Sequence, residues 1–114
     1  MTTGGFEAVF LETHNWGRTA GFLQKLGFEI EFETDHQSGQ FRNGDGPYVF
    51  VAEVPQTQKP RTQFVLKVDD AQTYTLDGDI DIVTPFEQTH YGTQEMTVRD
   101  PDGRLWSLQA PGKQ

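Results

Sequence analysis

The side chains able to do chemistry in this chain are mostly carboxylates and amides, and few stand at spacings that a known chemistry needs. The three histidines, His14, His36 and His90, form no HxH, HxxxH or HExxH pattern, so each reads as a surface-loop residue rather than a metal ligand. There is no cysteine, which removes thiolate ligands, thiol nucleophiles and any disulfide framework. No G-x-S-x-G elbow marks an activated serine. The acid pairs Asp69-Asp70 and Asp77-Gly78-Asp79 lack the spacing and closing glutamate of a calcium loop, so turn chemistry accounts for them. Lys67 is more informative. It ends a run that alternates as a strand, and alternate residues share a face, so Lys67, Val65 and Gln63 project together. A lysine beside an amide can bind an anion or a carbonyl, and desolvation lowers its pKa toward proton transfer. The competing reading is a lysine that snorkels to water or pairs with Glu7. Tyr48, Phe50, Phe86 and Tyr91 are the aromatics best placed to contact a planar ligand.

The elements that must position these groups follow from periodicity. Phe6 to Thr13 alternates as a strand, with Phe6, Ala8 and Phe10 on one face and Glu7, Val9 and Leu11 on the other. Asn15 can cap a helix over Gly17–Leu26 whose buried stripe is Thr19, Phe22, Leu23 and Leu26, and Gly27 suits a left-handed C-cap. Phe28 to Glu33 alternates again, with Phe28, Ile30 and Phe32 inward. Short strands follow around 40–42 and over Tyr48–Val54. Pro55 to Pro60 has no apolar residue and reads as a linker. Beyond it come a strand at Gln63–Val68, a short helix around 69–76 and a strand at 79–84. Thr93 to Leu108 makes a hairpin about Asp100-Pro101-Asp102-Gly103, a turn in which Pro101 presets φ and Gly103 accepts a positive one. Phe6, Phe10, Phe22, Phe28, Phe32 and Phe64 are expected on helix-facing positions, as is Trp106.

The order β-α-β-β-β therefore occurs twice, over about 1–55 and 62–114 with the linker at about 55–61, which suggests an internal duplication within one domain. At 114 residues the chain is long enough for its own core. A formal net charge of −8, with basic residues scattered singly, argues against nucleic acid or an anionic membrane as partner. No apolar run approaches the ~20 residues of a membrane span. Met1 to Gly5 lacks the features of a secretory signal, so a cytoplasmic location is expected.

Two motifs carry a family resemblance. Phe22-Leu23-Gln24-Lys25-Leu26-Gly27-Phe28 is similar to the FYxxLGF helix end, and Gly92 to Gly103 resembles the G-x-x-E-(apolar)-x-V-x-DPDG signature, of the vicinal oxygen chelate superfamily. That superfamily includes glyoxalase I, bleomycin-resistance proteins and extradiol dioxygenases. The resemblance implies an α+β fold, two βαβββ modules forming a cup-shaped curved mixed sheet with helices on the outside, and commonly a homodimer. Metal-dependent members place one His, Gln or Glu ligand on the first and last strand of each module. Carried across, those positions fall on Glu7, Gln63 and Ser107, and on Glu53 with Val51 as its rival. Glu7, Glu53 and Gln63 are permissible donors to a divalent metal. Ser107, a neutral hydroxyl where a glutamate is usual, speaks for a metal-free site. The resemblance then implies a small-molecule-binding protein of the sequestration or resistance type, using Glu7, Phe50, Gln63, Lys67, Tyr91 and Ser107. The alternative it implies is a metal-dependent lyase, isomerase or dioxygenase acting on vicinal oxygens.

Overall fold

The computed structural model describes residues 3–112 apart from Asp77, so the Asp77 turn lies outside the described residues. The elements are β1 (Phe6–Thr13), α1 (Trp16–Lys25), β2 (Glu29–Glu33), β3 (Ser38–Arg42), β4 (Tyr48–Glu53), β5 (Thr62–Lys67), β6 (Asp81–Gln88), β7 (Thr93–Arg99) and β8 (Leu105–Pro111). The protein is α+β and divides into two compact units, a first of Ala8–Thr62 and a second of Met1–Glu7 with Gln63–Gln114.

In the first unit β1 pairs parallel with β4, and β3 joins β4 and β2 antiparallel. The parallel pair needs a crossover, which α1 supplies. Asn15, extended at φ −147°, accepts the Arg18 N–H through Oδ1, and Glu53 accepts the Trp16 N–H at 2.8 Å, so two orphan donors at the helix start are satisfied. Gly27 takes φ 101° at the helix end, as its sequence position foretold. Ala20 and Leu23 meet Phe41 and Val51 in the core, joined by Leu11, Trp16, Phe28, Ile30 and Val49. This corrects the expected stripe. Phe22 and Leu26 are 60% and 57% exposed, because Trp16 lays its ring 5.6 Å from that of Phe41 and sets the inward face at Trp16, Ala20 and Leu23. Those three stand at i, i+4 and i+7. The expected linker is tied down as well: the His14 ring N–H donates to the Gln58 carbonyl at 2.6 Å, and the Gln58 amide donates to Glu12.

In the second unit β5 pairs parallel with β8, and β7 joins β8 and β6 antiparallel. Gly4 and Gly5 form backbone bonds with Lys67 ahead of β1. The expected helix around 69–76 is absent; the segment makes turns. Asp70 accepts the Gln72 N–H with its side chain and the Tyr74 N–H with its carbonyl. Such side-chain bonds compete with helix, and the neighbouring aspartate and threonines are weak helix formers. Ala71, Tyr74 and Leu76 nevertheless pack on the core of Val68, Met96, Leu108 and Ala110. The expected strand at 79–84 runs later, Asp81–Gln88, with register shifts either side of Thr84.

The Asp100 turn is heavily bonded. Its carboxylate accepts the Asp102 and Arg104 N–H groups, the Arg104 guanidinium and the Trp106 indole N–H, the last at 2.9 Å, while Gly103 takes φ 89°. The Trp106 bond is the main cause that holds the Asp100 carboxyl down at about 2, with the Arg104 and Asp102 bonds adding to it against partial burial. Its stabilising effect is therefore complete above its ordinary pKa of 3.8 and is lost as pH falls from there through about 2. Urea melts across that window should show a loss of stability that Asp100→Asn, lacking the carboxylate from the start, does not repeat. Parallel pH profiles for the two proteins would remove the assignment.

Candidate functional site

Alternation sorts the second unit's side chains onto two faces. Phe64 and Leu66 of β5 share one face with their register partners Trp106 and Leu108 of β8. Phe6 belongs to it too, with its ring 5.7 Å from Phe64 and 6.4 Å from Trp106. Glu7, one residue on, projects the other way, toward the side that carries Gln63, Val65 and Ser107. Trp106 points to the apolar side, opposite to Ser107, as its alternation with Ser107 predicts, but the helix expected to cover that side is absent.

On the Glu7 side the sheet is polar and in part deeply buried. Ser107 is 2% exposed and Gln63 9%, and the Gln63 amide Nε2 donates to Ser107 Oγ at 2.6 Å. Thr97 is the register partner of Ser107 on one side and Val65 on the other, so the three residues form one row across the strands. Glu7 is half-buried and, among the described residues, has no hydrogen-bond or ion-pair partner. Lys67 is exposed at the end of β5, its stem beside Gly4, in a register row with Gln109 and Glu95. The expected alternative pairing of Lys67 with Glu7 does not form. Tyr91 is 56% exposed and donates from its hydroxyl to Glu95 Oε1 at 2.9 Å. Glu7, Gln63, Lys67 and Ser107 thus share one face of one unit.

Phe50 and Glu53 belong to the first unit. Phe50 stacks with Phe10 at 6.2 Å and 12° and touches Phe32 at 6.3 Å, on the face of the sheet away from α1. Phe32, Gln40, Phe50 and Phe10 are successive register partners across the four strands. Phe10 and Phe32 were expected to face the helix. Phe10 alternates with the core residue Leu11, and a register shift between Ile30 and Phe32 turns Phe32 over. Tyr48 lies under the Arg42 guanidinium, 5.6 Å from its ring. Phe86, expected among the ligand aromatics, packs edge-on against Tyr74 beside the second unit's core. Glu12 was missed. Its carboxylate is 8% exposed, accepts the Arg61 N–H, and stands 3.4 Å from the Arg61 guanidinium, which also covers Phe10 at 5.8 Å. The sequence signal was slight: an acid at the end of β1 and a lone arginine after Pro60.

The donor set does not fit a divalent metal. Glu53 gives its carboxylate to the first turn of α1, and its rival Val51 is an apolar core residue. Gln63 and Ser107 are neutral and bonded to each other, which leaves Glu7 as the one anionic donor of the set on that face. Among the described residues no three His, Asp or Glu side chains converge. Such ions want several charged or imidazole donors.

No protein-family model matches the chain, and no curated protein does. Solved structures do match. A glyoxalase/bleomycin resistance protein/dioxygenase superfamily member from Vibrio splendidus 12B01 is similar at TM-score 0.69 and 21% identity, over 90% of this chain and 96% of that one. The Mn(II)-bound glyoxalase from Novosphingobium aromaticivorans is similar at 0.70 and 14% identity, over 98% of this chain and 42% of that one. Methylmalonyl-CoA epimerase from Mycobacterium tuberculosis is similar at 0.69 and 12% identity, over 97% and 90%. Identities this low speak for architecture alone. This chain has the fold of the glyoxalase/bleomycin resistance protein/dioxygenase superfamily.

Proposed function

We propose that the protein binds a small molecule on the face that carries Glu7, Gln63 and Ser107, and that it needs no metal to do so. The observation that carries this reading is the pairing of a buried, mutually bonded Gln63–Ser107 with a half-buried carboxylate, Glu7, that has no partner among the described residues. A half-buried carboxylate without a counter-charge can accept from a cationic or hydrogen-bond-donating ligand. The formal charge of −8 favours the same class of ligand. Lys67 and Tyr91 bound this face with further polar groups, and Phe50 with Phe10 offers an aromatic surface in the first unit. We extend the reading to a homodimer, to which the exposed Phe22 and Leu26 of α1 lend an apolar patch.

The test begins with metal content after purification without chelator, and with melting before and after EDTA and added Zn, Ni, Mn or Fe. The expected result is no bound ion and no shift. A screen of planar and cationic molecules should then find a stabilising ligand, worth about 2.7 kcal/mol at a hundred times its Kd. Glu7→Gln should abolish that stabilisation. About one ion per chain, with melting that falls on chelation, would overturn the reading and favour a metal-dependent enzyme.

A further inference from the structure

The chain has two asparagines, Asn15 and Asn43, and the fold holds them in opposite ways. An asparagine is labile where the main-chain nitrogen of the next residue can reach its side-chain carbon, Cγ, and close a five-membered ring. Both groups must be free to move, and a following glycine helps because no Cβ shields its nitrogen. At Asn15 both are held. Its Oδ1 accepts the Arg18 N–H at 3.0 Å as the helix cap, and the N–H of the bulky Trp16 donates to Glu53 at 2.8 Å.

At Asn43 neither is held. Asn43 and Gly44 are exposed and open the turn between β3 and β4, where the Asn43 carbonyl accepts the Gly46 N–H at 3.3 Å. That is just beyond the roughly 2.7–3.2 Å of typical N–H···O bonds. Gly44 takes φ 61°, and a Cβ built on it would meet nothing within 4 Å. Among the described residues, neither the Asn43 side-chain amide nor the Gly44 N–H has a hydrogen-bond partner. Two other described turns place an acid before a glycine, Asp45-Gly46 and Asp102-Gly103. There the glycine N–H is engaged, by the carbonyls of Asn43 and Asp100, and an ionised carboxylate is a poor electrophile.

We infer that Asn43 is a modification site, at which the folded protein deamidates spontaneously and acquires isoaspartate. The Gly44 nitrogen gives its proton to hydroxide and bonds to Asn43 Cγ. The Cγ–Nδ2 bond breaks, and the amide departs as ammonia with a proton returned from water. Water then opens the cyclic imide, at the side-chain carbonyl to give aspartate or at the main-chain carbonyl to give isoaspartate. No oxidant or reductant is needed. In isoaspartate the chain runs through Cβ and Cγ, so one extra carbon enters the turn between Phe41 and Val49, register partners on β3 and β4. The main-chain carboxylate released there is the group that an isoaspartyl methyltransferase methylates.

The experiment ages the full chain in warm, mildly alkaline buffer and follows the gain of one mass unit by peptide mapping. Trypsin cuts after Arg18 and Arg42, so the two asparagines fall on different peptides. The gain should accumulate on the peptide that begins at Asn43 and not on that of Asn15. The folded chain should react within about tenfold of its rate in guanidinium chloride, since a single long hydrogen bond spans the reacting pair. An isoaspartyl methyltransferase with labelled S-adenosylmethionine should label the same peptide. Asn43→Gln, which would have to close a six-membered ring, should lose both signals. Gly44→Ala should age several times more slowly, because its Cβ shields the nitrogen. Circular dichroism melts check that both variants are folded. The inference is overturned if the mass gain falls first on Asn15 or on a glutamine, or if no methyl label appears on the Asn43 peptide. It is also overturned if the folded chain lags the unfolded one by more than about tenfold, or if either variant ages as the parent does.

Discussion

Phe41→Ala should lower the free energy of unfolding by about 3–5 kcal/mol. Phe41 is 0% exposed, in the middle of β3, and it touches the elements that close the first unit: Trp16, Ala20 and Leu23 of α1, and Val51 of β4. Removing its ring leaves a cavity between a helix and a sheet, and neither can move far without breaking the β3–β4 ladder. Small domains have only about 5–15 kcal/mol in total, so the variant should melt much earlier or fail to accumulate. Phe22→Ala is the comparison. Phe22 is 60% exposed on α1, and its loss should change stability by no more than about 0.5 kcal/mol. Urea denaturation of both proteins measures the contrast. Equal losses would mean that Phe22 is a core residue after all, as helical periodicity alone suggests.

That contrast marks where the sequence could be read and where it could not. Strand alternation placed β1, β4 and β5 within a residue or so at their ends, because each is bounded by strong punctuation such as Asn15, Pro55 or Pro60. The Asp100 turn was legible because Asp, Pro and Gly act there through local chemistry that needs no tertiary partner. The stripe of α1 was not, because two faces of the helix each carry apolar residues. The choice between them rests on where the Trp16 ring goes, which is a packing decision. The inward alternation of Phe28, Ile30 and Phe32 failed at the register shift after Ile30, since a bulge leaves no reliable mark in the residues themselves. The second helix failed for a different reason: apolar residues at 71, 74 and 76 can be buried equally well by turns. In the site, parity placed Gln63 and Lys67 on one face, and the register of Val65 with Ser107 adds Ser107 to it. Parity did not show that Gln63 and Ser107 bond to each other, nor that Glu53 is consumed by the start of α1.

Gly39→Ala should cost about 1–3 kcal/mol through overpacking, although it adds a single methyl group. A Cβ at Gly39 would stand 2.8 Å from the Phe32 carbonyl oxygen and 2.8 Å from Cη2 of Trp16, nearer than real Cβ contacts allow. The carbonyl belongs to the neighbouring strand and cannot swing aside, so β2 must shift or Trp16 must leave its place over Phe41. Either movement has consequences beyond the residue. Displacing Trp16 pulls on the bond from its N–H to Glu53 and so loosens the start of α1. Shifting β2 carries Phe32 away from Phe50 and disturbs the aromatic row opposite the helix. Trp16→Phe distinguishes the two. It deletes the distal ring that holds Cη2 and should recover part of the loss if the indole is the obstacle, appearing as a favourable coupling in the double-mutant cycle. Simple addition of the two losses would instead assign the cost to the Phe32 carbonyl, and would make the register of β2 against β3 the feature that requires glycine at this position.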